Sequence, residues 1–475
     1  MTEQEVFDSF LEFEDNNNLF QENIKGFNYW IYIRYVIYGK ILEQTNNFDP
    51  ISLPINSSKI KTAFNVLRNL LSEISHKNCK SADILIFESS RMFSKNGKYA
   101  DVYTSFLSDC TSYKTLRISG IHVSKVCKSP YNKRELWNIP MLIANFKAKR
   151  LMVYDEKVLE KINKLQNSIE NIWNVKFSEN FLRDLINKVY ILRETLVPYY
   201  IKRLNKIKPK VIIELCYYSP KSLILNEVAS LLNIPTIELQ HGTMGRGHLA
   251  YNFRNKFNSP LFPKYMYLFS DFWKETSLLP LPLENVKVTG FPYFESQLES
   301  LTTNKVLPNG KKVILFISQT TIGKELSKFA VKLSKLIDKE KYEIIYKLHP
   351  VECASWETRL SDLYSERESI TVVADNKEPL YSLFNRSYAQ VGVYSTAVYE
   401  GIGFNLKTYI IPLLGYARME PLVDMNYASL VMTPKELIDN LQCLQEQSIN
   451  TEKFWLRGSA SVIAKNIGDI CVCSK

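Results

Sequence analysis

The sequence predicts an α/β protein built of two Rossmann-like domains that face one cleft, behind an N-terminal helical extension. Three observations carry that prediction. Short β-type runs alternate with helix-period segments in two blocks, 82–239 and 311–412, and strands alternating with helices make parallel sheets covered on both faces. The chain has 475 residues, more than one hydrophobic core supports. Its composition, 45% hydrophobic and 23% charged, is that of a globular chain. The expected boundaries are 1–78 for the extension, 79–295 for the first domain and 296–475 for the second.

Taken in order, residues 1–76 read as helical with an Asn-rich break at Asn16–Asn18. Residues 27–42 (FNYWIYIRYVIYGKIL) carry only Arg34 and Lys40 as charges. They fit a helix packed on the body of the protein, or an aromatic-rich segment at a membrane interface. Residues 82–88 (ADILIFE) form the first clear strand, followed by a polar loop over 89–101. Residues 142–207 read as long helices, with Phe181, Leu185 and Val189 at i+4 spacing beside Leu182, Ile186 and Tyr190. A βαβ unit follows. Strand 211–217 leads to Ser219 as helix cap and Pro220 at the first helical position, and strand 235–239 ends at Gln240-His241-Gly242.

The second block opens with strand 313–317, ending at Ser318-Gln319-Thr320-Thr321. A helix follows with Leu326, Phe329, Ala330, Leu333 and Ile337 on one face. Strands 343–348, 370–374, 390–394 and 408–412 complete the block, with a short helix near 379–384 and another from Thr396. The two blocks join over 290–309.

The formal net charge is +11. Lys and Arg are spread along the chain and no nucleic-acid module is apparent, so nucleic acid is not an expected partner. The basic excess suits an anionic substrate or peripheral contact with the inner membrane leaflet, and equally a Lys-rich solvated surface. The eight cysteines lack metal-binding spacing and read as free thiols of a reducing cytoplasm. No signal peptide or uncharged membrane-length stretch is seen, so the expected place is the cytoplasm, peripheral at the inner membrane.

The residues that carry chemistry are expected at strand ends, because ligands of open parallel sheets bind outside the carboxyl ends of strands. One run (EIIYKLHP) brings Lys347 and ends at His349-Pro350; the strand expected beside it (QVGVYSTAVYEG) ends at Ser395-Thr396, where a helix begins. A helix start opened by Ser or Thr offers free N–H groups to a phosphate. The loop Ser318–Thr321 leads to Gly323-Lys324 at another helix start, and Glu400, one turn past Thr396, is placed to reach a ribose diol. Each also has an ordinary reading as a cap or a solvated carboxylate. The stretch 240–253 (QHGTMGRGHLAYNF) holds three glycines with Arg246 and His248. Glycine lets backbone approach a ligand closely, and Arg246 suits a phosphate or carboxylate. For a general base the candidates are Asp101, Glu214, His241 and His248, with Asp101 and His241 preferred and Glu214, Gly242, Arg246 and His248 assigned to the acceptor side of the cleft. No Asp-x-Asp, Walker A, Gly-x-Gly-x-x-Gly, HExxH or Gly-x-Ser-x-Gly sequence is present. No metal or resident cofactor is therefore expected, and a leaving phosphate has to be met by dipoles, hydroxyls and basic side chains.

At these residues the chain resembles bacterial glycosyltransferases of the GT-B architecture that act in capsule, lipopolysaccharide and teichoic-acid synthesis. His349-Pro350 and Ser395-Thr396 are similar to the paired donor-phosphate motifs of bacterial sialyltransferases, capsular Kdo transferases and CDP-glycerol glycerophosphotransferases. Gln240-His241-Gly242, Phe262-Pro263 and Thr289-Gly290-Phe291-Pro292 resemble a set of surface-polysaccharide proteins. The short acidic motifs that mark the sialyltransferase base are missing, which tells against sialic acid. The resemblance implies an inverting, metal-independent glycosyltransferase that takes a nucleotide-sugar donor and a glycan acceptor, the latter lipid-linked. His349, Ser395 and Thr396 would hold the donor phosphate and the loop Ser318–Thr321 would close over it. The rival readings are a CDP-polyol phosphotransferase, a nucleotide-sugar epimerase and a non-catalytic component of a polysaccharide assembly complex.

Overall fold

Thr2 opens the first helix, Glu3–Asn16, with a reciprocal cap: its hydroxyl accepts from the Glu5 N–H while Glu5 accepts from the Thr2 N–H. The second helix, Trp30–Gln44, is apolar on most of its circumference and is accordingly buried, with Trp30, Ile33, Ile37 and Ile41 fully covered. Its Arg34 is buried too. The guanidinium grips Glu14 through Nε (2.6 Å) and Nη2 (2.7 Å), then donates to the carbonyls of Leu249 (2.8 Å) and Asn252 (3.2 Å). This segment is a helix packed on the body of the protein, with Tyr35 and Val36 left exposed. The computed structural model describes all residues except 48–80, 96, 120–133, 138, 148–153, 246, 256, 258, 303–309, 376–377, 443–449 and 474–475. The second half of the expected extension and Arg246 therefore lie outside the described residues.

The first sheet contains β1 (Ile84–Phe87), β4 (Thr115–Ser119), β5 (Arg134–Leu136), β6 (Val211–Glu214), β7 (Thr236–Leu239), β8 (Tyr265–Leu268) and β9 (Val286–Val288), while β2 (Met92–Lys95) and β3 (Lys98–Asp101) pair separately as an antiparallel hairpin. The sheet is parallel throughout, in the order β5-β4-β1-β6-β7-β8-β9. The second sheet holds β10 (Lys312–Ile317), β11 (Tyr342–Lys347), β12 (Ile370–Val373), β13 (Ala389–Gly392), β14 (Lys407–Ile410) and β15 (Ser429–Leu430), also parallel, in the order β12-β11-β10-β13-β14-β15. Strands β6, β7 and β13 are buried along their whole length, as continuous apolar runs in doubly covered sheets are. Strand order reverses between β1 and β6 in one sheet and between β10 and β13 in the other. Those switch points are where crevices open at carboxyl strand ends.

The fold is thus α/β and GT-B in type: two Rossmann-like domains with the helical segment ahead of them. Two details differ from the sequence reading. Residues 89–101 are a hairpin and not only a loop. The chain also does not end in the second domain. The last helix, Ser459–Cys473, returns to the first sheet and packs Ile463, Ile467 and Cys471 against Ile84, Ile86 and Ile213. Helix Pro292–Thr302 bridges the two, with Phe294 4.4 Å from Trp455 and 6.0 Å from Phe404 between ring centroids.

Candidate functional site

The loop that follows β7 forms the first wall. His241 sits three residues beyond Glu238, whose side chain is fully buried on that strand. Its Nδ1 lies 3.7 Å from Glu238 Oε1, and its Nε2 lies 3.5 Å from the Tyr218 hydroxyl. Tyr251 donates to Glu238 Oε1 at 2.7 Å. Burial lifts the Glu238 carboxyl well above the usual carboxylate range, and the Tyr251 hydrogen bond only partly opposes that. Burial also lowers His241 to about 4. His248, one turn of loop further on, falls to about 3 through burial, with the Arg418 cation adding to the effect. Both rings are therefore neutral imidazoles at pH 7, able to accept a proton.

Arg418 comes from the second domain and closes this wall. A Cβ placed on Gly247 (φ +81°) would stand 3.3 Å from Arg418 Cγ, so the glycine lets the two domains meet. Arg418 Nε donates to Glu3 at 3.0 Å, which ties the chain's first helix to the same junction. Its guanidinium lies over Tyr394, 5.3 Å from the ring centre.

The second wall begins at the helix Thr396–Gly403. Ser395 caps it, its hydroxyl accepting from the Ala397 N–H at 3.2 Å. Thr396 turns the other way: its hydroxyl accepts from the Thr243 N–H at 3.0 Å, across the domain boundary. The strand ends bearing His349 and Ser395 are not neighbours, because β10 runs between β11 and β13. Two strand spacings, roughly 10 Å, separate them. His349 keeps a usable donor. Its Nδ1 accepts from the Val351 N–H at 3.3 Å, which puts the ring proton on Nε2, and burial lowers its pKa so that the ring stays neutral.

Several expected donor residues are engaged elsewhere. Tyr346 donates to Ser318 Oγ at 3.2 Å. The Thr320 carbonyl accepts from Arg359 at 2.6 Å, and the Thr321 hydroxyl pairs with the Tyr394 hydroxyl. Lys347 Nζ donates to the Asp375 carbonyl at 2.6 Å, and burial lowers its pKa. Gln319 Oε1 is buried without a partner, and Pro350 is exposed. The anion beside the start of helix Gly323–Ser334 is the protein's own: Glu352, 1% exposed, has its Oε1 2.0 Å from where a Cβ on Gly323 would lie.

Three acidic candidates change character. Asp101 is fully buried and accepts from the N–H groups of Ser89 (2.7 Å), Tyr103 (3.0 Å) and Thr104 (2.8 Å), and from the Thr104 hydroxyl (2.8 Å). It stitches the hairpin to the turn after it and has no lone pair to spare for a substrate. Glu400 is 1% exposed and pairs with Arg91 (3.3 Å), a residue of the first domain, so its carboxylate is answered by the protein. Glu214 ends β6, fully buried, with Asn226 donating to Oε1 at 2.6 Å. Gly242 packs against Thr396, 3.5 Å from its hydroxyl at the Cβ position.

The sequence reading missed Glu238, Tyr218, Arg91 and Arg418. Glu238 was within reach, since a carboxylate on the strand that delivers His241 is a natural partner for it. Cys216 adopts a left-handed backbone (φ +62°) in the turn that carries Tyr218, and no sequence pattern announces that. Arg91 and Arg418 become visible only when the domains meet. A cleft of about 800 Å³ lined by Lys208, Asn233 and Lys264 opens at the amino ends of the first sheet's strands, away from all of these groups.

No protein-family model matches the chain, and no curated protein does. Among solved structures it is similar to the UDP-GlcNAc 2-epimerase of Methanocaldococcus jannaschii, at 12% identity over 81% of this chain and 99% of that one, with a TM-score of 0.49. The Neisseria meningitidis UDP-GlcNAc 2-epimerase, bound to UDP-GlcNAc, matches at 12% identity over 82% and 98%, with a TM-score of 0.45. The wall teichoic acid polymerase TagF matches at 13% identity over 88% and 98%, with a TM-score of 0.43. Identities this low speak to the course of the chain and not to its chemistry. No helix among the described residues is long and apolar enough to cross a membrane.

Proposed function

We propose that the protein is an inverting, metal-independent glycosyltransferase that moves a sugar from a nucleotide-sugar to a hydroxyl of a bacterial surface glycan. One observation carries the reading: the carboxyl strand ends of both sheets meet where the His241 loop touches the start of helix Thr396–Gly403, Thr243 N–H to Thr396 Oγ1 at 3.0 Å. A neutral imidazole with a carboxyl behind it thereby faces a helix start that suits a phosphate.

In this mechanism His241 takes the proton of the acceptor hydroxyl. The acceptor oxygen forms a bond to the anomeric carbon, the bond from that carbon to the phosphate oxygen breaks, and the nucleotide leaves with the electron pair. The leaving charge is met by the dipole at the start of helix Thr396–Gly403. Arg91 contributes positive potential from the first domain. The Glu238 carboxyl lies 3.7 Å behind the imidazole Nδ1, in reach of a hydrogen bond once that nitrogen carries a proton. Asp101 has no part in the chemistry. Closure of the two walls excludes water and protects the donor from hydrolysis.

The test is a panel of nucleotide donors incubated with the protein, scored for released nucleotide with and without acceptor, beside a thermal-shift screen against UDP, CMP, CDP, GDP and dTDP. A nucleotide at 100 times its Kd stabilises by about 2.7 kcal/mol. Release of CMP from CDP-glycerol, with no turnover of any nucleotide-sugar, replaces this reading by polyol-phosphate transfer. Conversion of a donor with no acceptor present replaces it by epimerisation.

A further inference from the structure

We propose that Tyr35, Tyr218 and His248 form the acceptor subsite, seating one sugar ring of the glycan on aromatic faces beside His241. The proposal rests on the glycosyltransferase reading and names where its second substrate sits. The three rings come from separate parts of the chain. Tyr35 lies on helix Trp30–Gln44, Tyr218 follows β6, and His248 lies in the glycine-rich loop after β7. Their centroids are 5.3 Å (Tyr35 to Tyr218), 6.0 Å (Tyr35 to His248) and 5.6 Å (Tyr218 to His248) apart. Tyr218 in turn stacks on His241 at 6.2 Å, so a ligand on this platform has the proposed base at its edge.

The platform is open and rigid at once. Tyr35 is 43% exposed, although its helix neighbours Ile31, Arg34 and Tyr38 are buried. The Arg34 guanidinium ties that helix to the Leu249 and Asn252 carbonyls, which fixes Tyr35 relative to the loop bearing His248. Tyr218 is aimed by the left-handed backbone of Cys216, a strained conformation of the kind found at ligand sites. An aromatic face held ready loses little freedom when it is covered.

The polar atoms identify the occupant. The hydroxyls of Tyr35 and Tyr218 belong to the platform: the Tyr35 ring is exposed, and the Tyr218 hydroxyl stands 3.5 Å from His241 Nε2. An apolar ligand would leave these groups unsatisfied, at a penalty. A carbohydrate offers both what the rings want, a C–H face, and what the two phenol hydroxyls need, several hydrogen-bonding partners. Arg418 of the second domain stands beside Tyr35 and His248, which keeps the subsite inside the cleft and open to an anionic substituent.

The experiment applies labelled wild-type protein, Tyr35→Ala and Tyr35→Phe to an array of bacterial surface glycans, with the nucleotide thermal-shift screen run on the same samples. Tyr35→Ala should weaken glycan binding about tenfold, the loss of one ring contact. Tyr35→Phe, which keeps the face, should bind as the wild type does, and all three should give the same nucleotide shift. Equal glycan binding by wild type and Tyr35→Ala overturns the subsite, and so does a wild type that binds no glycan while nucleotides stabilise it. A wild type that no nucleotide stabilises overturns the transferase reading instead. A normal melting temperature for Tyr35→Ala confirms that lost binding is not lost folding.

Discussion

Glu214 separates two readings of one residue: in mid-strand it is expected to be buried and paired, and as an acceptor-side candidate it would face the cleft. A carboxylate facing the cleft would be ionised and bound to substrate. The structure buries it at the end of β6, accepting from Asn226 Nδ2 at 2.6 Å, and burial pushes its pKa up to about 8 from 4.5. Two acceptors nearby, Glu214 Oε2 and Asn226 Oδ1, have no donor. A proton on the carboxyl supplies one, so the neutral acid fits and the carboxylate does not. The folded state therefore holds a proton that the unfolded chain gives up. That stabilisation is complete below pH 4.5 and is lost as the pH rises toward 8. The slope in that window is about 1.4 kcal/mol per pH unit, and the whole shift amounts to about 5 kcal/mol. Glu214→Gln keeps the accepting oxygen and cannot ionise. Its melting temperature should gain on the wild type by roughly 3–6 °C per pH unit between pH 5 and 8, for a domain of this size. Circular-dichroism melts at half-unit steps read this directly. Parallel curves for the two proteins would refute the argument, as would loss of transferase activity in a variant that melts normally.

The remaining predictions concern the cleft and its supports. His241→Asn should lower transfer by about 10²–10⁴-fold while leaving the nucleotide thermal shift intact, which separates chemistry from binding. The depressed histidines give the opposite pH limb: with folded values of about 4 for His241 and about 3 for His248, the unfolded chain takes up protons first. Stability should therefore be full above pH 6.5 and fall on acidification, and His248→Asn should flatten that fall by up to about 1.4 kcal/mol per pH unit. The Arg91–Glu400 pair should respond asymmetrically, since Arg91 is 42% exposed at its side chain and Glu400 is 1%. Arg91→Ala strands a buried carboxylate and should destabilise by about 3 kcal/mol; Glu400→Gln frees an arginine that water can reach and should cost about 1 kcal/mol. Denaturant titration of both variants decides it, and equal losses would contradict the burial. Gly323→Ala should cost about 1–3 kcal/mol, because its methyl would meet Glu352 at 2.0 Å.

Much of the architecture was legible because it is written in local chemistry. The buried strands β6, β10 and β11 are built on apolar runs (VII, VILFI and IIY). Ser219-Pro220 starts its helix as a cap followed by proline should, and Ser395 caps the helix that begins at Thr396. Strands β5, β8 and β9 are three or four residues long and take their conformation from neighbours already in the sheet, so their own sequence hardly marks them. The hairpin β2–β3 was hidden for a related reason: its strands are four residues long, and in β3 the exposed Lys98 and Tyr99 precede the buried Ala100 and Asp101, without the alternation that marks a half-buried strand.

The site was legible only in part, and the reason is strand order. A sequence shows which runs are strands but not which lie side by side. Reading His349 and Ser395 as adjacent required β11 beside β13, whereas the sheet seats β10 between them. The same ambiguity put Asp101 first among the candidate acids. Asp101, Glu214 and Glu400 look alike as letters, yet one is saturated by backbone N–H groups, one holds a proton, and one answers an arginine 309 residues away in the chain. What distinguishes a base from a scaffold carboxylate is the set of groups that already satisfy it, and that set is assembled by long-range packing. His241 stands out by the converse test: its ring is neutral, its Nδ1 has no partner, and a buried carboxyl waits 3.7 Å behind it.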